Sequence, residues 1–156
     1  MSAEPVVEAT GKLYAGVWRR LGAMLYDTLL VIALCMIVTA MFLPFTGGEA
    51  ITQENVGALE YAYRALLLAL IVLFFGWPWT RRGQTVGMTA WRLKLERADG
   101  SLVSWTDAIK RLGGAFVSLA VLGLGYFWIW IDREGLAWHD RWTATRVVVL
   151  PKRKKN

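Results

Sequence analysis

The apolar positions of this chain do not alternate with polar ones at period 2 or 3.6; they pool into three long blocks set off by short polar segments. The first, Leu21 to Phe45, is long enough as a helix rising about 1.5 Å per residue to cross a hydrocarbon core of roughly 30 Å with some tilt. Pro44 and the Thr46-Gly47-Gly48 run that follows predict its end. The second span is predicted over residues 58–79, closing in Trp77-Pro78-Trp79 ahead of Arg81 and Arg82. A third apolar block occupies residues 112–131.

Between the second and third blocks the period changes. Arg92-Leu93-Lys94-Leu95-Glu96 alternates, and Ala98-Asp99-Gly100 is a turn signal, so a short strand is expected over Leu93 to Glu96. Ser104 followed three residues later by Asp107 predicts a capped, amphipathic helix running toward Arg111 at the membrane interface. Near the end, Thr145 to Leu150 is a second β-branched run. An isolated strand leaves its ladder groups unpaired, so Leu93 to Glu96 and Arg146 to Val149 are expected partners.

Composition sharpens this picture. Hydrophobic residues make up 56% of the 156 positions, charged ones only 19%, and nine are Trp, which excludes a disordered tail, a coiled coil and a disulfide scaffold. The net charge of +6 is clustered against the apolar blocks, where orientation signals lie. Arg19 and Arg20 flank the outside of the first span, Arg81 and Arg82 that of the second, and the loop between them carries Glu49 and Glu54 without Lys or Arg. The positive-inside rule then predicts both ends of this hairpin in the cytoplasm. Too little polar chain remains to build a nucleic-acid-reading face. The expected partners are the bilayer, anionic lipid headgroups at the cytoplasmic face, and either a second copy or another membrane protein, with Gly22, Ala23, Ala33 and Ala40 suited to helix contacts. Residues 1–14 form a cytoplasmic tail without the features of a cleavable signal, residues 15–150 the membrane domain, and residues 151–156 a basic tail.

A single crossing of the third block would carry Arg133, Arg141, Arg146 and the basic tail outside, against the charge rule, and would part the two strands by a membrane. A re-entrant segment, bending at Gly123 and Gly125, resolves both and is favoured. Its rival is an ordinary span, since arms of about nine residues reach only about halfway across.

Asp27 lies inside the first span, where a carboxylate costs roughly 2.5–3.5 kcal/mol on insertion scales and must be paired, protonated or turned to protein or water. Arg20, seven positions earlier, shares its helix stripe but is about 10 Å away along the axis. A third group could bridge them, and Asp140 is the candidate. Glu60 and Arg64, at i and i+4, read as an ordinary helix-surface pair. Cys35 is alone, so neither a disulfide nor a cysteine metal site is expected, and the single histidine, His139, argues against zinc. Gly83-Gln84-Thr85-Val86-Gly87 lacks the Lys-Ser/Thr ending of a phosphate loop, and no Gly-x-Ser-x-Gly elbow is present. No enzymatic activity, catalytic residue, metal or cofactor is expected.

Read together, Trp18-Arg19-Arg20-Leu21-Gly22-Ala23 through Asp27, Gly83-Gln84-Thr85-Val86-Gly87, Asp99-Gly100, and His139-Asp140-Arg141 through Thr145-Arg146-Val147-Val148 resemble the RDD family of small bacterial membrane proteins, named for one arginine and two aspartates. Arg20, Asp27 and Asp140 match the naming residues, with Asp132 a weaker rival for the last; Gly83, Gln84, Thr85, Gly87 and His139 are secondary candidates. Met88-Thr89-Ala90 departs from the family's pattern, where a basic residue is expected. The resemblance implies a multi-pass protein of the bacterial cytoplasmic membrane and transport of unidentified ligands. The expected fold is thus an all-α polytopic membrane protein: a two-helix transmembrane hairpin, a third apolar segment that re-enters or spans, and a small cytoplasmic two-stranded β element. Arg20, Asp27 and Asp140 are expected to form one polar cluster that binds an ion, proton or small charged solute, the alternative being a non-transporting assembly or lipid-interacting accessory protein.

Overall fold

The computed structural model describes residues 13–47, 57–132 and 134–151; the N-terminal tail as far as residue 12, the acidic loop at 48–56 and the basic tail from 152 lie outside the described residues. Helix α1, Val17–Phe42, starts ahead of the apolar block, so Arg19 and Arg20 sit in its opening turn. It runs into a 3-10 turn, Leu43–Thr46, with Pro44 at its start and Gly47 closing it at φ 63°. Helix α2, Leu59–Arg82, extends a turn beyond its apolar block, and Gly83, at φ 71°, ends it by donating its N–H to Trp79. Both helices are long and apolar enough to cross a membrane. Their outer faces expose Leu25, Leu29, Ile32 and Met36 on α1 and Leu66, Leu68 and Leu73 on α2, a surface suited to lipid rather than water.

A short helix α3, Val86–Ala90, leads into strand β2, Leu93–Arg97. The region expected to hold a separate interfacial helix followed by an apolar segment is one helix, α4, Trp105–Ala120, opened by a complete Ser104–Asp107 capping box. Nothing between Arg111 and Leu112 interrupts the backbone ladder, so the polar and apolar stretches fuse. The break comes later, where Leu122 at φ 57° and Gly123 at φ 76° turn the chain into α5, Leu124–Phe127, and a 3-10 turn, Trp128–Trp130. The chain bends by 105° between the two arms. Gly123 supports the bend, whereas Gly125 sits buried under Ser118 of α4 and serves packing.

Helix α6, Trp138–Trp142, precedes strand β3, Thr145–Val149. The two expected strands pair antiparallel, with Leu93 opposite Val149 and Glu96 opposite Arg146. A third strand, β1 at Leu13–Tyr14, adds to the other edge of β3, so the sheet has three strands in the order β1-β3-β2 rather than two. Because β1 directly precedes α1 and β2 follows α2, β3 ties both ends of the helical hairpin to the chain that leaves the bent third block.

The core forms where this sheet meets the nearby ends of the helices. Leu93 and Leu95 are fully buried with Ala23, Trp79, Met88, Ala108 and Val147, each leucine worth about 1.5–3 kcal/mol on burial. Two of the small residues proposed for contacts with another chain are used internally: Gly22 lies under the Trp91 ring and Ala23 is in this core. Ala33 and Ala40 remain exposed on α1.

Candidate functional site

Asp140 is completely buried in the first turn of α6, and its side chain caps that helix by accepting from the Ala137 N–H at 3.1 Å. Two guanidiniums close on it. Arg20 of α1 donates to Oδ2, and Arg111 of α4 places Nη1 2.5 Å from Oδ1. Each arginine is itself pinned: Arg20 Nε donates to the Ala15 carbonyl at 3.0 Å, and Arg111 Nη1 donates to Thr145 Oγ1 at 2.8 Å. Both are only 6% exposed. Burial pushes the Asp140 carboxyl up, but Arg111 and then Arg20 outweigh it and hold the group well below the usual carboxylate range. Three elements distant in sequence therefore converge on one ionised carboxylate.

His139, next along α6, packs its ring against Tyr126 at 4.8 Å and lies close enough to Gly114 that a β-carbon there would sit 2.9 Å from His139 Cβ. Desolvation, followed by the positive charge of Arg111, lowers its pKa to about 3, so the imidazole is neutral at pH 7.

Asp27 belongs to a second arrangement. Its Oδ2 accepts from Thr85 Oγ1 at 2.5 Å and its Oδ1 from the Gly87 N–H at 2.8 Å. Thr85 is also the N-cap of α3, its oxygen accepting from the Met88 N–H. Gly87 is required by close approach, since a β-carbon would lie 2.2 Å from the Ala23 carbonyl oxygen and 2.9 Å from the Asp27 carboxylate. Gln84 Nε2 donates to the Leu93 carbonyl at 2.6 Å, and the Gly83 carbonyl accepts from the Leu95 N–H at 2.7 Å. The Gly-Gln-Thr-Val-Gly string thus locks α2, α3 and β2 onto α1.

The single expected cluster is accordingly two: Arg20 and Asp140 meet, while Asp27 bonds to neither of them. Arg20 and Asp27 both line one cavity of about 710 Å³ between α1, α2 and α4, with Arg111, Trp79 and His139 also in its wall, whereas the fully buried Asp140 reaches it only through the two arginines it pairs. Arg111, not singled out from the sequence, is the hub. Its signal is a stripe of small residues, because Ala108, Arg111, Gly114 and Ser118 recur at helical spacing and are the buried positions of α4. The rival Asp132 stands apart, taking Arg141 Nε at 2.9 Å and the Leu136 N–H at 2.9 Å to shape the turn ahead of α6. Glu60 and Arg64 form the expected i,i+4 ion pair. Among the described residues no group of three or more His, Cys, Asp or Glu is placed to hold a metal.

Long apolar helices, a third apolar block folded back on itself and a buried arginine–aspartate site at their shared end are the architecture of a small helical membrane-type protein. The family model described as the RDD family matches residues 14–144, and the chain belongs to that family. Neither a curated protein nor a solved structure matches it.

Proposed function

We propose that this chain is a multi-pass protein of the bacterial cytoplasmic membrane that takes a small charged solute into the cavity between α1, α2 and α4 and takes part in its transport. The observation that carries this reading is the pair Arg20 and Arg111, both ion-paired to the buried Asp140, in the wall of a mostly apolar cavity. Buried charge inside a membrane segment is expensive, and its default meaning is function. In this reading α1 and α2 span, and the bent block from Trp105 to Trp130 re-enters, because β2 before it and β3 after it are hydrogen-bonded to each other. Both ends of the hairpin and the sheet then face the cytoplasm, as the arginines at those ends favour. Two spans and a re-entrant segment enclose a pathway poorly alone, so the working form is an oligomer or a complex with another membrane protein.

One specific observation favours a different role for Asp27: both its oxygens are occupied by donors that dock α3. Asp27 is therefore assigned to positioning the cavity wall, Arg20 and Arg111 to the solute, and Asp140 to holding the two arginines in place.

The test is melting of the purified full-length protein in detergent against sodium, lithium, choline, glutamate and octanoate, followed by flux of any stabilising probe in proteoliposomes. A probe that raises the melting temperature, crosses the membrane with the protein present and loses both effects in Arg111→Gln supports the reading. Failure of every charged probe overturns it.

A further inference from the structure

The polar groups gathered at the Arg111 end of the cavity are donors in excess. Arg111 and Arg20 bring two positive charges against the single carboxylate of Asp140. Trp79 lies beside Arg111, whose Cζ is 5.7 Å from the indole centroid. Trp79 is 8% exposed and His139 3% exposed. Both line the cavity, yet Trp79 Nε1 and His139 Nδ1 have no hydrogen-bond partner among the described residues. Two such buried orphans in one wall call for an explanation.

An indole N–H and a guanidinium can only donate, so what completes them is an acceptor. A metal cation or an ammonium group cannot accept and would add to the surplus positive charge. Asp27 does not supply the missing acceptor, since its oxygens are taken by Thr85 and Gly87. The neutral His139 adds no charge. At this end two guanidiniums face one carboxylate, and Asp27, the acid in the wall, bonds to neither arginine, so the local surplus fits a single carboxylate better than a phosphate dianion. Away from this end the sides of the wall given by α2 and α4 are apolar, formed by Leu68, Ile71, Val72, Phe75, Phe116 and Leu119. The volume of about 710 Å³ lies within the roughly 300–1,000 Å³ typical of small-molecule sites.

Resting on the charged-solute reading above, we propose that the cavity binds an apolar monocarboxylate, its carboxylate held by Arg111 and the Trp79 N–H beside His139 and its hydrocarbon body laid between α2 and α4. Both charge and shape are read: the donors select the oxyanion, and the aliphatic wall selects a chain or compact apolar body over a polar acid.

The experiment titrates full-length protein in detergent with 11-(dansylamino)undecanoate, whose emission rises on entering an apolar site, beside its methyl ester and the matching trimethylammonium probe. Saturable binding is expected for the carboxylate alone. Trp79→Phe keeps the ring and removes the N–H, and it is expected to weaken binding about tenfold, the effect of losing one hydrogen bond to a charged group. Leu119→Trp, at a position 64% exposed where folding tolerates bulk, narrows the apolar end and is expected to weaken the same probe. Equal binding of ester or ammonium probe, or unchanged carboxylate affinity in both variants, overturns the proposal. If the ammonium probe or a metal ion binds instead, the carboxylate assignment falls while a charged-solute site stands; if no charged probe binds, both fall.

Discussion

The hydroxyl of Thr85 donates to Asp27 Oδ2 at 2.5 Å while its oxygen accepts from the Met88 N–H. One side chain thereby caps α3 and fastens it to α1, and Gly87 completes the seam with its backbone N–H.

That seam predicts a graded series. Asp27→Ala orphans two buried donors, each costing about 1–3 kcal/mol, whereas Asp27→Asn still accepts from one and can turn its amide to the Thr85 oxygen. Thermal unfolding in detergent should rank wild type above Asp27→Asn and Asp27→Asn well above Asp27→Ala. Gly87→Ala should match or exceed the alanine loss, because its β-carbon meets the α1 backbone at 2.2 Å and a helix carbonyl cannot yield. Equal melting of Asp27→Asn and Asp27→Ala would show that these hydrogen bonds do not hold α3.

At the other centre the partners are unequal in number, one carboxylate between two guanidiniums. Removing Asp140 leaves two buried positive charges facing each other, while removing Arg111 leaves a matched Arg20–Asp140 pair. Breaking a buried pair costs about 3–5 kcal/mol, so Asp140→Asn should destabilise strongly and Arg111→Met distinctly less. In the double variant the Arg111 change should recover part of the Asp140→Asn loss. A strictly additive double variant, measured by denaturant or thermal unfolding, would show that Arg111 and Asp140 do not interact.

His139 is the only histidine of the chain, and burial lowers its pKa from 6.5 to about 3. The unfolded chain binds the proton first as pH falls, so the neutral histidine's contribution is complete above pH 6.5 and is lost between there and pH 3. At pH 5 the loss amounts to about 2 kcal/mol. Asp140 acts at lower pH with the same sign, since its contribution is present above the ordinary carboxylate range and is lost only once acid enters it. Unfolding midpoints at pH 7.5 and 5 should therefore converge in His139→Gln relative to wild type. An unaltered pH 7.5-to-5 difference in that variant would mean that the imidazole is protonated in the folded state.

Much of this was legible along the chain because membranes simplify the code. Apolar run lengths mark α1 and α2, period-2 alternation marks β2, and the partnerless strand predicts its pairing with β3. Arg20 and Asp140 stand out through the Trp18-Arg19-Arg20 and His139-Asp140-Arg141 strings that resemble the family's. Asp27's partners do not, because a hydroxyl and a glycine N–H about 60 positions away carry no charge to betray them. Arg111 is hidden by its position at the edge of an apolar block, where an arginine reads as an orientation signal. The fusion of two expected segments into α4 is hidden too, since helix continuity depends on the backbone and not on the change from polar to apolar side chains. β1, with two residues, is too short for any periodicity and exists because β3 offers it an edge.

The same sheet decides the last prediction. Strand β3 is bonded to β1 at the start of the first long helix and to β2 after the end of the second, and the proposed re-entrant topology keeps that sheet on one side by returning the chain to the side from which it entered the third block. Single cysteines placed at Glu54 and Lys154 in a Cys35→Ala background should then label differently in intact cells treated with an impermeant maleimide: position 54 from outside, position 154 only after permeabilisation. Labelling of both from outside would make the third block a full crossing and part β3 from β2 across the membrane. Arg111 and Asp140 would then lose the shared end of the fold on which their ion pair depends, and the solute site built on them would fall with the topology.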